Sequence, residues 1–309
     1  MSIPLQSFNR PSLLVVGCGD IGLRVVRLLR GRFRVLALTS TAERFAELRS
    51  AGAVPILGNL DHPASLIRLG RLADAVLHLA PPTDHGTQDL RTAALVAALA
   101  RGGRVRRLVY GSTSGVYGDA GGARFDETRA VNPATDRARR RVDAETRLRA
   151  YGRVCGVRVS ILRIPGIYAL DRPGGHPRAR LQRGSAVLRP EDDVYTNHIH
   201  ADDLARACIA ALQRGRAQRV VHASDNTELT MGAYFELAAS LCDLPAPPRI
   251  TRAEAERSLP AMQLSFMSES RRLDNRRLLT ELKLRLRYPT VAQGLSAVPL
   301  APTPATAKR

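Results

Sequence analysis

The sequence predicts an α/β fold, a Rossmann-type doubly wound parallel sheet with a small C-terminal substrate-binding lobe. Short apolar segments alternate with helical segments along the first half of the chain, as in βαβ units. A glycine-rich turn follows the first apolar segment and leads directly into the first helical one. Together these observations indicate parallel strands whose connecting helices cover both faces of one sheet.

The predicted strands are short and largely apolar, as expected for strands buried on both faces. They cover residues 13–16, 35–38, 54–57, 75–79, 108–110, 157–164 and 219–223. Apolar residues at helical spacing predict helices over residues 21–29, 42–50, 63–69, 88–100, 202–213 and 231–241. The segment 165–190 is rich in Gly, Pro and Arg and is predicted to be a loop.

This rhythm divides the chain into two main parts. Residues 10–164 form the predicted dinucleotide-binding Rossmann domain, and residues 165–298 form a smaller substrate lobe with interleaved returns to the Rossmann core. The tail, residues 299–309, contains Pro, Ala and Thr without an apolar pattern, so the sequence predicts disorder there.

The chain of 309 residues carries a formal net charge of +19, and its only lysines are Lys283 and Lys308. Such a basic excess suggests a nucleic-acid partner, but an arginine-biased genome produces the same excess on plain helix surfaces. The densest basic run, residues 137–149, is interrupted by Asp143 and Glu145, which supply helical ion-pair partners. With no Trp and 4% aromatic residues the chain offers no stacking platform, so a nucleic-acid partner is not expected.

Hydropathy and cysteine usage predict a cytoplasmic protein without a membrane segment. The first ten residues lack a signal-peptide pattern, and the longest apolar run is far shorter than the roughly 20 residues that span a bilayer. The four cysteines are scattered, which is typical of reduced thiols rather than of a disulfide or zinc framework. They are Cys18, Cys155, Cys208 and Cys242.

A second set of potential ligands lies late in the chain. His198 and His200 fall on one face of a predicted strand, and Asp202 and Asp203 follow closely. These residue types bind metals, but no further ligand stands at diagnostic spacing. No metal site is therefore predicted.

The turn after the first strand reads Gly17-x-Gly19-x-x-Gly22. Gly17 is expected to make the tight turn, Gly19 to let backbone amides approach a pyrophosphate, and Gly22 to let helix pack on strand. Asp20 and Ile21 open the helix, whose N-terminus favours phosphate. The pattern predicts a dinucleotide site; the alternative is a tight turn that binds no ligand.

The end of the second strand distinguishes NAD from NADP. An acidic residue there would bind the ribose 2′-hydroxyl of NAD, but this chain has Thr39 and Ser40, followed by Arg44. Hydroxyl groups and an arginine suit a 2′-phosphate, so NADP is predicted, with NAD as the alternative. Arg44 is also well placed to be a solvated helix residue.

Several motifs occur in order along the chain. They are Gly-Ser-Thr-Ser-Gly-Val-Tyr-Gly at 111–118, Asp-Ala-Val-Leu-His-Leu-Ala at 74–80, Asp-Glu at 126–127, Asn-Pro at 132–133, Ile-His-Ala-Asp-Asp-Leu-Ala at 199–205, Leu-Asp-Asn-Arg-Arg-Leu at 273–278 and Arg-Tyr-Pro-Thr at 287–290. This set resembles the extended short-chain dehydrogenase/reductases, the NAD-dependent epimerase/dehydratase family. The resemblance covers nearly the whole chain and implies NAD(P)-dependent chemistry on a small molecule, with a homodimer as a possible assembly.

Two departures from the family pattern concern the site itself. The family's usual glycine loop is G-x-x-G-x-x-G, which would place a glycine at position 16, where this chain has Val16. The spacing follows the variant of atypical members instead. The family's catalytic pair is Tyr-x-x-x-Lys, followed four residues later by Glu. Counting back from Glu145 places Arg141 at the lysine position and Arg137 at the tyrosine position, so neither catalytic residue is retained.

In the family, the tyrosine exchanges a proton with the substrate oxygen, the lysine holds the nicotinamide ribose, and a Ser or Thr orients the substrate. By resemblance, Thr113 takes the hydroxyl position and Arg141 the ribose contact. Arg137 cannot act as a base because a guanidinium keeps its proton, but it suits an oxyanion or an anionic substrate. Tyr117 is a candidate replacement acid–base group, although tyrosines in this motif are ordinarily structural. Residues 114–115 are Ser-Gly where dehydratases carry Asp-Glu, so dehydration is not expected.

The same resemblance places further residues around the cofactor. Asn59 and Leu60 fall at the adenine, Leu79, Ala80 and Pro81 beneath the cofactor, and Ile164 and Pro165 beside the nicotinamide. Two hypotheses remain open: an NAD(P)-dependent oxidoreductase or epimerase-like enzyme, and a catalytically inactive sensor that binds NADP(H).

Overall fold

A computed structural model describes residues 10–260, 264–265 and 267–296. The tail predicted to be disordered, residues 299–309, lies outside the described residues. In chain order the strands are β1 (Ser12–Val16), β2 (Arg34–Thr39), β3 (Val54–Leu57), β4 (Ala75–His78), β5 (Arg107–Thr113), β6 (Arg124–Phe125), β7 (Arg158–Ile164), β8 (Gly166–Tyr168), β9 (Val187–Leu188), β10 (Tyr195–Thr196), β11 (His198–His200), β12 (Arg219–His222), β13 (Leu229–Thr230), β14 (Arg249–Ile250) and β15 (Arg272–Leu273).

Seven parallel strands form the main sheet, in the spatial order β12-β7-β5-β4-β1-β2-β3. The chain therefore winds outward from β1 in one direction through β2 and β3, and in the other through β4, β5, β7 and β12. Ligands of such sheets bind outside the carboxyl ends of the strands where the winding reverses, which here is between β1 and β4. The doubly wound α/β prediction is confirmed.

Helices cover both faces of this sheet. They include α1 (Asp20–Leu29), α2 (Phe45–Ala51), α3 (Leu90–Gly102), α4 (Asp136–Val154), α5 (Arg178–Gln182), α6 (Ala201–Arg214), α7 (Met231–Leu241) and α8 (Arg252–Ser258), and two further helices follow at Arg276–Thr280 and Val291–Ser296. Strand β1 explains the two-sided cover: Leu13 and Val15 pack with α1, α2 and α6, whereas Leu14 and Val16 pack with α3 and α4. All four side chains are fully buried, as a wholly apolar strand requires.

The predicted helix over residues 63–69 is wrong. The segment forms two 3₁₀ turns, Pro63–Leu66 and Leu69–Arg71. A β-carbon on Gly70 would lie 2.5 Å from the carbonyl oxygen of Ala98, so the backbone packs directly on α3 there. The end of this segment is therefore fitted directly against α3, a long-range contact that apolar spacing does not reveal.

The loop predicted over residues 165–190 is wrong in part. It contains β8, α5 and β9, and these build a smaller lobe through two-stranded pairings of β8 with β11 and β9 with β14. Tyr168, Leu181 and Val187 from this segment pack with Tyr234 and Phe235 of α7 in a separate apolar core. Later residues return to the main sheet, where β12 pairs with β7 and α6 packs on α1.

Candidate cofactor and active site

The glycine loop lies at the carboxyl end of β1, and each glycine has its own physical reason. Gly17 has a φ of +85°, and a β-carbon there would lie 2.2 Å from the backbone nitrogen of Ala80. Gly22 packs on β1, with a β-carbon position 3.2 Å from the carbonyl oxygen of Gly17. A β-carbon on Gly19 would meet nothing within 4 Å. The loop therefore holds open space at the N-terminus of α1, where backbone amides favour an anion.

Asp20 and Ile21 open α1 in different ways. Ile21 is buried in the core, whereas the carboxylate of Asp20 faces the loop and accepts from two arginines. Arg24 Nε lies 3.0 Å from Asp20 Oδ1, and Arg172 Nη1 lies 2.5 Å from Asp20 Oδ2. Arg172 belongs to the lobe, so an ion pair joins the lobe to the glycine loop.

The end of β2 brings Arg44 onto the same loop. Arg44 Nη2 donates to the carbonyl oxygen of Cys18 at 2.8 Å, and the guanidinium also pairs with Glu47 at 2.8 Å. Thr39 is buried, whereas Ser40 is exposed. A cation and a free hydroxyl thus adjoin the loop at the position where the sequence predicts the ribose of the adenosine half.

The predicted adenine side is held by a network that sequence reasoning missed. Asn59 Oδ1 accepts from the backbone nitrogen of Asp61 at 2.9 Å, and Leu60 packs on the core below. Arg91 of α3 binds both carboxylate oxygens of Asp61 at 2.7 Å and donates to the carbonyl oxygen of Pro81 at 3.4 Å. Arg91 thereby links the loops after β3 and β4.

The predicted nicotinamide floor comes together over Gly111. A β-carbon on Gly111 would lie 2.8 Å from Leu79 Cδ2 and 3.2 Å from Ile164 Cδ1, so these two side chains converge above it. Thr113 is the register partner of Ile164 across β5 and β7, and Pro165 follows directly. The predicted floor and the predicted substrate hydroxyl therefore share one end of the sheet.

Helix α4 carries Arg141 and Arg137, the two arginines that the sequence predicts at the positions of the family's catalytic pair. Its position is fixed by Glu145, which is buried and accepts from Arg163 at 2.7 Å and from Ser112 Oγ at 2.6 Å. Arg141 and Arg137 precede Glu145 by four and eight residues and so lie on the same helix face. The anchoring of Glu145 therefore fixes the helix face that both arginines share, and Arg141 on that face reaches the carboxyl half of β5.

The two arginines differ in what they contact. Arg141 Nη1 donates to Tyr110 Oη at 3.0 Å and to the carbonyl oxygen of Gly111 at 2.9 Å, so that guanidinium is tied to β5. Arg137 is exposed and has no ion-pair or hydrogen-bond partner within the described chain. Partial desolvation and repulsion from Arg141 and Arg140 lower the pKa of Arg137, but an arginine stays charged at any physiological pH.

Tyr117 lies away from this face, in the core beside β6. Its hydroxyl lies 2.6 Å from His222 Nε2, and His222 Nδ1 lies 2.9 Å from the carbonyl oxygen of Asp274. A carbonyl only accepts, so Nδ1 carries the proton and Tyr117 donates to Nε2. Burial raises the pKa of Tyr117 to about 12 and lowers that of His222 to about 4. This placement gives Tyr117 a structural contact rather than a substrate contact.

Thr113 is the fourth predicted catalytic residue. Its Oγ1 accepts from the backbone nitrogen of Gly115 at 3.2 Å and so starts the turn that follows β5. The side chain is half-buried and keeps its hydroxyl proton available for a second partner. Thr113 therefore remains the hydroxyl group nearest to the predicted nicotinamide floor among the four.

A cluster around Arg24 was also missed. Arg24 meets Asp20, Asp171 and Asp202, with distances of 3.0, 2.7 and 2.5 Å. The pair with Asp20 follows helical i,i+4 spacing and is visible in the sequence. The other two carboxylates lie 147 and 178 residues away in the sequence, so no local sequence pattern predicts these contacts.

A charged cavity of about 190 Å³ lies elsewhere, beside β12. Its lining charges pair with one another: Arg219 with Glu281, and Arg277 with Glu127 at 3.1 Å. None of the predicted site residues lines it. Within the described chain, no group of three or more His, Cys, Asp or Glu side chains could hold a metal ion, and each helix is too short or too polar to cross a membrane.

Comparisons with known proteins agree with this geometry. The model of the NAD dependent epimerase/dehydratase family matches residues 13–223. The chain belongs to this family. It is 24% identical over 284 residues to Protein YeeZ of Escherichia coli K12, covering 89% of this chain and 95% of that protein.

Solved structures of other proteins share the fold. A conserved protein of unknown function from Silicibacter pomeroyi DSS is 29% identical, with a TM-score of 0.78 over 92% of this chain and 96% of its own. A UDP-glucuronic acid 4-epimerase from Bacillus cereus, solved in complex with NAD, is 17% identical with a TM-score of 0.73 over 93% and 96%. The second likeness concerns the fold alone.

Proposed function

We propose that the protein is an NADP(H)-dependent oxidoreductase or epimerase-like enzyme that acts on a small molecule. The observation that carries the proposal is the open space at Gly19, bounded by Gly17 against Ala80 and placed at the N-terminus of α1. A dinucleotide's pyrophosphate suits this space because amide groups and the helix dipole favour an anion there. Leu79 and Ile164 supply an apolar floor for the nicotinamide ring.

The bound nicotinamide would supply or accept a hydride, and residues of this chain would position the substrate oxygen. Thr113 has a hydroxyl at the end of β5 that can donate to that oxygen. Arg137, exposed and unpaired in the described chain, can bind an oxyanion or an anionic substrate group. Arg141 keeps a positive charge at the former lysine position. We propose an anionic or carbonyl-bearing substrate on this basis.

Fluorescence titration with NADPH and NADH tests whether the protein binds a nicotinamide dinucleotide at all, which the proposal requires. We expect saturable binding of NADPH, with enhanced emission as the ring leaves water. A failure of both nucleotides to bind would overturn the proposal from the glycine loop onward. Turnover is then measured as NADPH oxidation across carbonyl and sugar-nucleotide substrates.

The preference for NADP rests on Arg44, which lies on the glycine loop and is paired with Glu47. Arg44→Ala is expected to weaken NADPH binding about tenfold, the cost of a charge-assisted contact to a 2′-phosphate, and to leave NADH unchanged. Arg49→Ala, an exposed arginine in helix α2, which begins directly after Arg44, serves as a matched control. Equal losses for NADPH and NADH would contradict a 2′-phosphate contact.

A second candidate is a catalytically inactive NADP(H)-binding sensor. The observation that favours it concerns the four candidate catalytic residues, since Tyr117 is bonded to His222 and Arg141 is tied to β5. The pKa of Tyr117 is raised to about 12, far from the neutral range in which an acid–base catalyst works best. Turnover by the unmodified protein would exclude the sensor. Activity appearing only in Arg137→Tyr/Arg141→Lys would favour it.

We also propose that the protein works in the cytoplasm, because its four cysteines are all unpaired. A small-molecule substrate and a homodimer complete the proposed setting. Sedimentation velocity of the purified chain measures its oligomeric state and so tests the proposed homodimer.

A further inference from the structure

The substrate lobe places one arginine on the glycine loop. Arg172 follows β8, and its Nη1 donates to Asp20 Oδ2 at 2.5 Å. Asp20 is the first residue of α1, and the neighbouring Gly19 leaves the space above the helix end open. The guanidinium of Arg172 thus stands at the rim of the space proposed for the cofactor's pyrophosphate.

Asp20 does not depend on Arg172 for charge compensation. Arg24 Nε also binds Asp20, and Arg24 itself is held by Asp171 and Asp202. The Arg24 side chain is 10% exposed. Burial alone would lower the pKa of Arg24, but the three carboxylates outweigh burial and raise that pKa. Arg24 is therefore the fixed cation of the cluster.

Arg172 is the cation that can move. Its only carboxylate partner in the described chain is Asp20, which it shares, and its Nε and Nη2 donate to no described group. The side chain is 27% exposed. Its stem packs on Gly175, where a β-carbon would lie 2.7 Å from Arg172 Cδ, so the base of the side chain is held while the tip is free.

We propose that Arg172 exchanges the Asp20 carboxylate for the pyrophosphate of the bound dinucleotide. The proposal rests on the proposed function and adds a cofactor-binding residue that comes from the substrate lobe. A guanidinium binds phosphate and carboxylate with the same planar fork, and a pyrophosphate offers two charges where Asp20 offers one that Arg24 already shares. Cofactor binding therefore draws the lobe segment that follows β8 toward the glycine loop.

Two substitutions with opposite expected effects test this exchange. Arg172→Met removes the cation, so the Kd for NADPH is expected to rise about tenfold. Asp20→Asn removes the competing carboxylate and its repulsion of phosphate, so the Kd is expected to fall about threefold. Arg183→Met, an exposed arginine at the end of α5, is the matched control and should leave the Kd unchanged.

The opposite signs separate the proposal from a structural role. If Arg172 acted only by holding Asp20 in place, both variants would change the Kd in the same direction, and the proposal would be wrong. Adenosine 2′-monophosphate, which has no pyrophosphate, is expected to bind wild type and Arg172→Met alike. A similar loss for that nucleotide would also contradict the exchange.

The failure of this inference is distinguishable from the failure of the proposed function. Wild-type protein that binds neither NADPH nor NADH overturns the proposed function. Wild-type protein that binds NADPH while Arg172→Met binds it equally well overturns the exchange alone. Gly175→Ala, which displaces the Arg172 stem without touching its charge, is expected to weaken NADPH binding, and thermal melts of each variant establish that it is folded.

Discussion

The two edges of the main sheet carry the chain's arginines in different ways. At the carboxyl edge, where the strands end and the glycine loop lies, Arg24, Arg44 and Arg91 each pair with acidic side chains at 2.5 to 3.0 Å. At the amino edge, where the strands begin, Arg107 and Arg158 are direct register partners across β5 and β7. Neither has a carboxylate within 4.0 Å in the described chain, although Arg104 at the same edge pairs with Asp74 at 2.9 Å.

Part of the excess positive charge therefore lies at the amino edge, on the side of the sheet opposite to the candidate site. Helices that follow parallel strands end at the amino edge, and α1, α4 and α6 each carry an arginine in the last turn. Cations are favoured there because the carboxyl end of a helix is partially negative. Arg24, Arg44 and Arg91 at the carboxyl edge instead orient loops through matched carboxylates. The net charge of +19 is thus a property of the whole surface rather than a sign of what the site binds.

The largest expected effect compares one glycine from each edge. Gly17→Ala places a methyl group 2.2 Å from the backbone of Ala80, so we expect loss of measurable NADPH binding and a large loss of stability. Gly31 has a similar φ of +78° at the amino edge but faces open space. Gly31→Ala should cost only about 1–2 kcal/mol of backbone strain and leave binding intact. Urea unfolding and NADPH titration of both variants measure this difference. Equal losses of stability and of NADPH binding in the two variants would contradict the prediction.

A buried ion pair at the carboxyl edge is expected to matter more than an exposed one at the amino edge. Glu145→Gln leaves the buried guanidinium of Arg163 without its carboxylate and should destabilise the fold by about 3–5 kcal/mol. Arg104→Gln breaks the exposed pair with Asp74 and should change stability little. Chemical denaturation at one pH and salt concentration compares the two. A small effect of Glu145→Gln would show that the network does not anchor α4.

The carboxyl edge holds one carboxylate that breaks the pairing rule. Asp225, after β12, has no cation within 4.0 Å in the described residues, and burial raises its pKa to about 7. The folded state therefore holds a proton that the unfolded chain releases near pH 4, so ionisation costs stability as the pH rises from about 4 through 7. The buried histidines His78, His198 and His222 have lowered pKa values and act in the opposite sense below pH 6.5.

Asp225→Asn isolates this contribution. The stability of wild type relative to the variant is expected to fall by about 1 kcal/mol per pH unit between pH 5 and 7, because the histidine contributions cancel in the difference. Urea denaturation at four pH values gives the slope. A difference that stays constant with pH would mean that Asp225 titrates normally.

The smallest expected effect concerns salt. Salt screens the repulsion between exposed like charges. Raising the salt concentration from about 0.05 to 0.5 M should therefore increase the free energy of unfolding by less than about 1 kcal/mol. Arg158→Gln removes one member of the amino-edge pair and should reduce that dependence. Arg139→Gln, whose side chain pairs with Asp136, is the matched control. A larger change in the salt dependence for Arg139→Gln than for Arg158→Gln would show that the repulsion does not arise from the amino-edge pair.

The sequence was enough to predict the sheet and the glycine loop, because both follow from local patterns. A strand buried on two faces must be apolar throughout, and the spacing Gly17-x-Gly19-x-x-Gly22 is set by one turn of backbone. The prediction for residues 63–69 failed because the constraint there is the approach of Gly70 to α3, which local spacing does not encode.

Much of the rest depends on partners distant in the chain. Strands β8 and β9 are two or three residues long and exist through pairing with β11 and β14, so residues 165–190 have only the composition of a loop. Arg172 meets Asp20 across 152 residues. Counting from Glu145 placed Arg137 and Arg141 on α4, but only tertiary structure distinguishes the arginine tied to β5 from the exposed one.

Cys18 lies inside the glycine loop, and its burial decides how the protein meets reactive chemicals. The Cys18 residue is 1% exposed, and burial raises the pKa of its thiol to about 11, so the nucleophilic thiolate is scarce at neutral pH. Cys155, at the end of α4, is exposed to solvent. A peroxide or maleimide pulse should therefore modify Cys155 and spare Cys18, so that a fluorescent dye can be attached to the surface without damaging the loop.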